Sequence, residues 1–135
     1  WIPPTGTIIA YNQSFEMNCI KELARYNIEL SDQLLALNER FTDLIIPFRQ
    51  GDYYHPAFKG SFSIKKVLPA LCPNDSSLNY DSLNITNGGE ASLAYKKFNE
   101  LNDEEIETYR NDLFAYCKLD TLGMVKMLEK LIKIV

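Results

Sequence analysis

Tyr116 and Asp120 stand four residues apart in the run Tyr116-Cys117-Lys118-Leu119-Asp120, a spacing that puts both side chains on one face of a helix. From there the carboxylate can ligate a divalent cation while the phenol hydrogen-bonds a water on that cation. That is one part of a two-metal phosphodiester cleavage site. The alternative is a surface Asp beside a half-buried Tyr. A second acid comes much earlier, in Ile8-Ile9-Ala10-Tyr11-Asn12-Gln13-Ser14-Phe15-Glu16. An apolar strand ending in Asn12, followed by a helix that opens on Phe15 and Glu16, puts a carboxylate at the strand's C-terminal edge, where α/β sheets hold their sites. The structural alternative has Asn12 making the turn, Phe15 packed in the core and Glu16 set at the positive end of the helix dipole.

The elements that must position these groups follow from hydrophobic period and punctuation. Thr7 to Tyr11 is β-branched and too short for a helix, which predicts a buried strand. Ser14 is the expected N-cap of a helix to about Tyr26, with Phe15, Cys19, Ile20 and Leu23 as its apolar positions. Ser31 opens a second helix to about Arg40, with Leu34, Leu35 and Leu37 inward. Asp43 to Ile46, stopped by Pro47, predicts a short strand, with a helix tail as the other reading. Gly51 to Gly60 is aromatic and irregular around His55-Pro56 and is the candidate functional loop. Ser61 or Ser63 starts a helix bearing Ile64, Val67, Leu68 and Leu71. A turn-rich polar segment, Asn74 to Asn87, leads to three helices over about 90–100, 103–117 and 120–134. Leu122, Val125, Met127 or Leu128, Leu131 and Ile132 are the expected core of the last.

With 135 residues, 46% hydrophobic and 24% charged, the chain is long enough to bury a core, and one domain is expected. A net charge of -4 argues against broad electrostatic binding to nucleic acid, although an acidic site that holds cations is compatible with it. Cys19, Cys72 and Cys117 form no CxxC pair, which disfavours a disulfide framework or a zinc site and suggests a reducing cytoplasm. No run reaches the roughly 18 apolar residues of a membrane helix, so no membrane partner is expected. Trp1-Ile2-Pro3-Pro4 lacks an initiator Met and leads straight into a strand, which suggests a piece of a longer chain.

In this order, the strand ending in Asn12 with Phe15-Glu16 and the later Tyr116-x-x-x-Asp120 resemble the second and third motifs of the DnaQ-like 3'-5' exonuclease superfamily, in its DEDDy branch. Thr42-Asp43-Leu44-Ile45 resembles the strand after the second motif, and Ser63 to Leu68 the helix ahead of the third. Most of the chain, including Tyr53 to Phe58, Gly60 to Pro69, Asn87 to Ala91 and Tyr116 to Thr121, is similar to an uncharacterised bacterial domain family of unknown function. The resemblance implies an α/β fold, the C-terminal part of a ribonuclease H-like domain, with about two short strands and five or six helices here. It implies two Mg2+ or Mn2+ ions, with Asp120 and Glu16 as ligands, Tyr116 orienting the nucleophile, and Asn12 holding the turn that aims Glu16. A DNA or RNA end is the implied substrate. The first motif, Asp-x-Glu, has no candidate and is expected in an upstream domain of the same polypeptide, so this piece alone is expected to be inactive. Glu16 stands where the family has Asp, one methylene longer.

His55 is the only histidine, so no His-His metal pair can form; it packs in the loop or contacts a phosphate or base. Lys59, Lys65 and Lys66 reach a backbone phosphate or form a solvated helix face. Tyr53, Tyr54 and Phe58 stack on single-stranded bases or pack inward. Gly88-Gly89-Glu90 reads as a helix start, not a phosphate cradle. Two rival classes stay open: a degenerate nuclease fold that binds nucleic acid or a protein partner, and a helical interaction module.

Overall fold

The computed structural model describes residues 2–134; Trp1, which the sequence puts ahead of the first strand, and Val135 lie outside them. The chain forms two compact units, residues 1–55 and 56–135.

In the first unit β1 (Ile8–Ala10) leads to α1 (Ser14–Tyr26), a 3-10 turn at Ile28–Leu30, α2 (Ser31–Asn38), β2 (Phe41–Asp43) and α3 (Ile46–Gln50). The strands pair in parallel, with Ile8 opposite Phe41 and Ala10 opposite Asp43. Parallel neighbours need a long crossover, which the two helices provide. The ladder continues at both ends: the Ile8 N–H donates to the Arg40 carbonyl at 2.8 Å, and the Leu44 N–H to the Ala10 carbonyl at 2.9 Å.

Beyond β1 the backbone turns through Asn12, whose φ of 66° is left-handed. Asn tolerates that region better than most residues. Asp43 holds the turn from the neighbouring strand. Only 8% exposed, it accepts the Asn12 N–H at 2.7 Å on Oδ1, the Gln13 N–H at 2.9 Å on Oδ2 and the Ile45 N–H at 3.1 Å on Oδ1. A buried carboxylate needs such donors, and these amides need an acceptor. This clamp does the work expected of Ser14, and no side chain caps α1. It also sets where the helix begins and hence which way it faces.

That phase corrects two expectations. Gln13, Glu16, Met17, Ile20 and Ala24 are the partly or fully buried face of α1, while Phe15 and Leu23 are 70% and 51% exposed and Cys19 lies outward. Phe15 is therefore not core. Leu35 of α2 is likewise exposed. The second strand also ends at Asp43, earlier than Pro47 suggested. Pro47 lies in the first turn of α3, where its missing N–H leaves no bond unmade.

The second unit opens with a 3-10 turn at Pro56–Phe58, then α4 (Ile64–Leu71), turns at Ser76–Leu78 and Tyr80–Ser82, α5 (Gly88–Lys96), a turn at Lys97–Glu100, and α6 (Asp103–Ile134). Val67, Leu68 and Leu71 are buried on α4 as their spacing predicts. Asn87 caps α5 by accepting the Glu90 N–H at 3.0 Å, while Glu90 reaches back to the Thr86 N–H at 2.7 Å, a reciprocal capping box. The two helices expected over 103–134 are one continuous helix of 32 residues, because neither Pro nor a cap interrupts Cys117 to Asp120. Its buried face is Leu119, Gly123 and Met127, and Val125 and Ile132, expected as core, are exposed.

Gly123 lets α6 approach α4: a Cβ there would sit 2.9 Å from Leu68 Cδ2 and 3.7 Å from the Tyr80 hydroxyl. Leu68 is fully buried and has nowhere to go. Gly123→Ala should therefore destabilise the chain. Overpacking costs about 1–3 kcal/mol, which outweighs a helix preference of about 1 kcal/mol for Ala over Gly. Asp43→Asn, which turns one acceptor into a donor facing a backbone N–H, should cost about 1–3 kcal/mol. Urea unfolding of each variant against wild type measures both, and an unchanged midpoint would count against the clamp or the close approach.

Candidate functional site

The second unit brings three of the candidate residues around one buried tyrosine. Tyr80 comes from the turn at Tyr80–Ser82, capped by the Asn79 side chain accepting the Asp81 N–H at 2.9 Å. Only 4% exposed, its hydroxyl donates to Asp120 Oδ1 at 2.6 Å. Asp120 and Tyr116 lie one turn apart on α6. The two phenol rings meet edge to face, centroids 6.4 Å apart. Lys65, from α4, holds its ammonium 5.7 Å from the centroid of the Tyr80 ring, a cation–π contact. Tyr80, from a segment that is otherwise polar and turn-rich, thus touches both Lys65 and Asp120. The signal for it was there: Leu78, Tyr80 and Ile85 are apolar or aromatic in an otherwise polar stretch, and all three are buried.

Both phenols are held neutral well above the ordinary tyrosine range. Burial is the larger cause for each; for Tyr80 the hydrogen bond to Asp120 follows, and for Tyr116 the charge of Asp120. In the first unit, Tyr11 is raised in the same way, by burial and then by the charge of Asp43. Glu90 is lowered from its ordinary value, chiefly by the Thr86 N–H it accepts. Its capping role leaves the Gly88-Gly89 start as a helix terminus that satisfies itself.

The remaining candidates are placed as follows. Lys66 and Lys59 are exposed. Phe58 is fully buried, Tyr53 packs edge to face on Phe48 at 6.0 Å, and Tyr54 is 60% exposed. His55 is half-buried at the end of the first unit. Asn12 Oδ1 accepts from Arg49 at 3.3 Å and from the Ser14 hydroxyl at 3.4 Å. Glu16 is half-buried on α1, with Oε2 shut away from solvent and without a hydrogen-bond partner.

The donors suit a hard divalent cation individually. Glu16 keeps an unmatched carboxylate oxygen, and Asp120, with one phenol bond to about four lone-pair directions, retains acceptor capacity. Among the described residues no group of three or more His, Cys, Asp or Glu lies close enough together to hold a metal ion. Cys19, Cys72 and Cys117 are free thiols. Among the described residues no helix is long and apolar enough to cross a membrane.

Phenols that are neutral when folded and ionise more easily when unfolded stabilise the fold fully below the ordinary tyrosine pKa. That stability is lost as pH rises from there toward the folded value. The urea midpoint should thus fall above about pH 10, and less steeply in Tyr80→Phe. A flat midpoint between about pH 9 and about pH 11 in wild type would contradict the burial of these hydroxyls.

Residues 1–63, which span the first unit with Asn12, Glu16 and Asp43, match a family described as a domain of unknown function, DUF2779. The chain is also similar to the uncharacterized protein UU173 of Ureaplasma parvum serovar 3, at 29% identity over 132 residues. That alignment takes in 87% of this chain and 19% of the relative, so the chain spans well under two thirds of the curated protein it matches. No solved structure matches it. The likeness to a family of unknown function, expected from the sequence, is found over the first 63 residues.

Proposed function

We propose that this chain is part of a metal-dependent 3'-5' exonuclease-like protein of ribonuclease H-like fold that hydrolyses phosphodiesters at a DNA or RNA end. One observation supports the reading above the others: Tyr116 and Asp120 share a face of α6, the Tyr80 hydroxyl donates to Asp120 Oδ1, and the Lys65 ammonium is held on the Tyr80 ring. Carboxylate, phenol and cation are the three group types that phosphodiester hydrolysis uses. In this reading Asp120 and Glu16 would hold Mg2+ or Mn2+, and further ligands come from an upstream Asp-x-Glu. The metals would supply an activated water and charge stabilisation for the leaving oxygen. Tyr116 orients the nucleophile through its hydroxyl. Lys65, with Lys66 and His55, meets the phosphates or bases, which requires only local positive charge in a chain of net charge -4.

A second reading is a degenerate nuclease fold that serves as a nucleic-acid-binding or protein-interaction module. It is favoured by the Tyr80 hydroxyl that already occupies Asp120 Oδ1, an arrangement that ties a turn to α6 without any metal.

The readings separate on the purified full-length protein with a labelled single-stranded oligonucleotide and Mn2+. Asp120→Asn, which keeps side-chain volume and removes ligand charge, should abolish cleavage with an unchanged fold. Tyr116→Phe should cost less, within the range of about 10²–10⁴-fold for a positioning or proton-transfer group. Cleavage by Asp120→Asn at the wild-type rate would sink the nuclease reading for this chain and leave the binding module.

A further inference from the structure

We infer that Tyr80 is a positioning residue for Asp120, an assignment that rests on the hydrolase reading above. The two ends of its side chain have different tasks. The hydroxyl bonds Asp120 Oδ1 at 2.6 Å, and the ring face carries the Lys65 ammonium at 5.7 Å. At 4% exposure the ring has no freedom to turn away, and the turn that carries it is pinned by the Asn79 side chain.

A carboxylate on a helix rotates about two side-chain bonds, and the Tyr116 hydroxyl on the same helix moves with it. Tyr80 comes from a different element, so it is the group that fixes the carboxylate relative to α4 and the rest of the second unit. With Oδ1 anchored, the carboxylate is restrained, and the lone pairs that Tyr80 does not use face a defined direction. Partners of this kind orient a metal ligand without touching the metal, and their loss costs about 10–100-fold in affinity or activity. Gly123 belongs to the same device. Lacking a Cβ, it admits the Tyr80 hydroxyl to the groove between α4 and α6, where an added Cβ would lie 3.7 Å from that oxygen.

Tyr80→Phe separates the two tasks, because it deletes the hydroxyl and keeps the ring under Lys65. On the full-length protein, Tyr80→Phe should weaken Mn2+ binding, read by the free-ion electron paramagnetic resonance signal, by about 10–100-fold. It should lower kcat for a single-stranded oligonucleotide by a similar factor with little change in KM, whereas Lys65→Ala should raise KM. Adding Tyr80→Phe to Asp120→Asn should weaken Mn2+ binding no further, since the group it positions is gone. A purely packing role predicts that Phe restores everything. Wild-type Mn2+ affinity and kcat in Tyr80→Phe, alongside a defect in Asp120→Asn, would overturn this assignment and leave the hydrolase reading standing. A wild-type protein that neither binds Mn2+ nor cleaves would remove both.

Discussion

A carboxylate taken out of water must be met by donors, and in the first unit that requirement is met by backbone amides alone. Asp43 receives the N–H groups of Asn12, Gln13 and Ile45. Two of those donors belong to the turn that leaves the neighbouring strand, so one side chain joins the C-terminal ends of both strands. From this follow the left-handed Asn12, the starting point of α1, and its rotation with Met17, Ile20 and Ala24 inward and Phe15 outward. The direction in which Glu16 leaves the helix is a consequence of the same clamp. A backbone amide cannot rotate away, so this arrangement is stiff and uses three of about four lone-pair directions. Asp43 is thereby committed to the fold.

Asp120 meets the same requirement differently. Its donor is a phenol hydroxyl, that of Tyr80 from a distant turn. Phenols turn about a single C–O bond and are removable by one conservative substitution without disturbing the main chain. One such bond leaves most of the carboxylate's lone-pair directions unclaimed. Of Asp43 and Asp120, Asp120 therefore keeps the greater acceptor capacity, and it is half-buried where Asp43 is buried.

Much of the local structure was legible in the sequence because it rests on short-range rules. The apolar run after Gly6 gives β1, Ile64 to Leu71 gives α4 with its inner face, and the i, i+4 spacing puts Tyr116 and Asp120 together. What could not be read depended on partners far along the chain. The phase of α1 is set by Asp43, about thirty residues away, which periodicity does not see. Phe15 and Leu23 looked like core because hydrophobic residues lie on both faces of that helix. The break expected between Cys117 and Asp120 had no Pro or cap behind it, and helix propagation carried through. Tyr80 was hidden in a polar segment because its partner lies 40 residues on.

Glu16 is the residue where fold and chemistry meet least comfortably. Among the described residues, the buried side-chain oxygens without partners are those of Gln13, Glu16 and Asn38, and all three are acceptors. Donors are what this part of the molecule lacks. An unmet buried acceptor costs about 1–3 kcal/mol. Gln13 can relieve it by turning the amide end over end to present N–H₂ instead of oxygen, whereas the Asn38 amide is held by the bond it donates to the Met17 carbonyl at 3.3 Å. Glu16 has no such exchange, since both of its terminal atoms are acceptors, and its ionised form only increases the need. The clamp at Asp43 fixes the helix that points it inward, so Oε2 stays buried and the cost of the unmet acceptor stays with it.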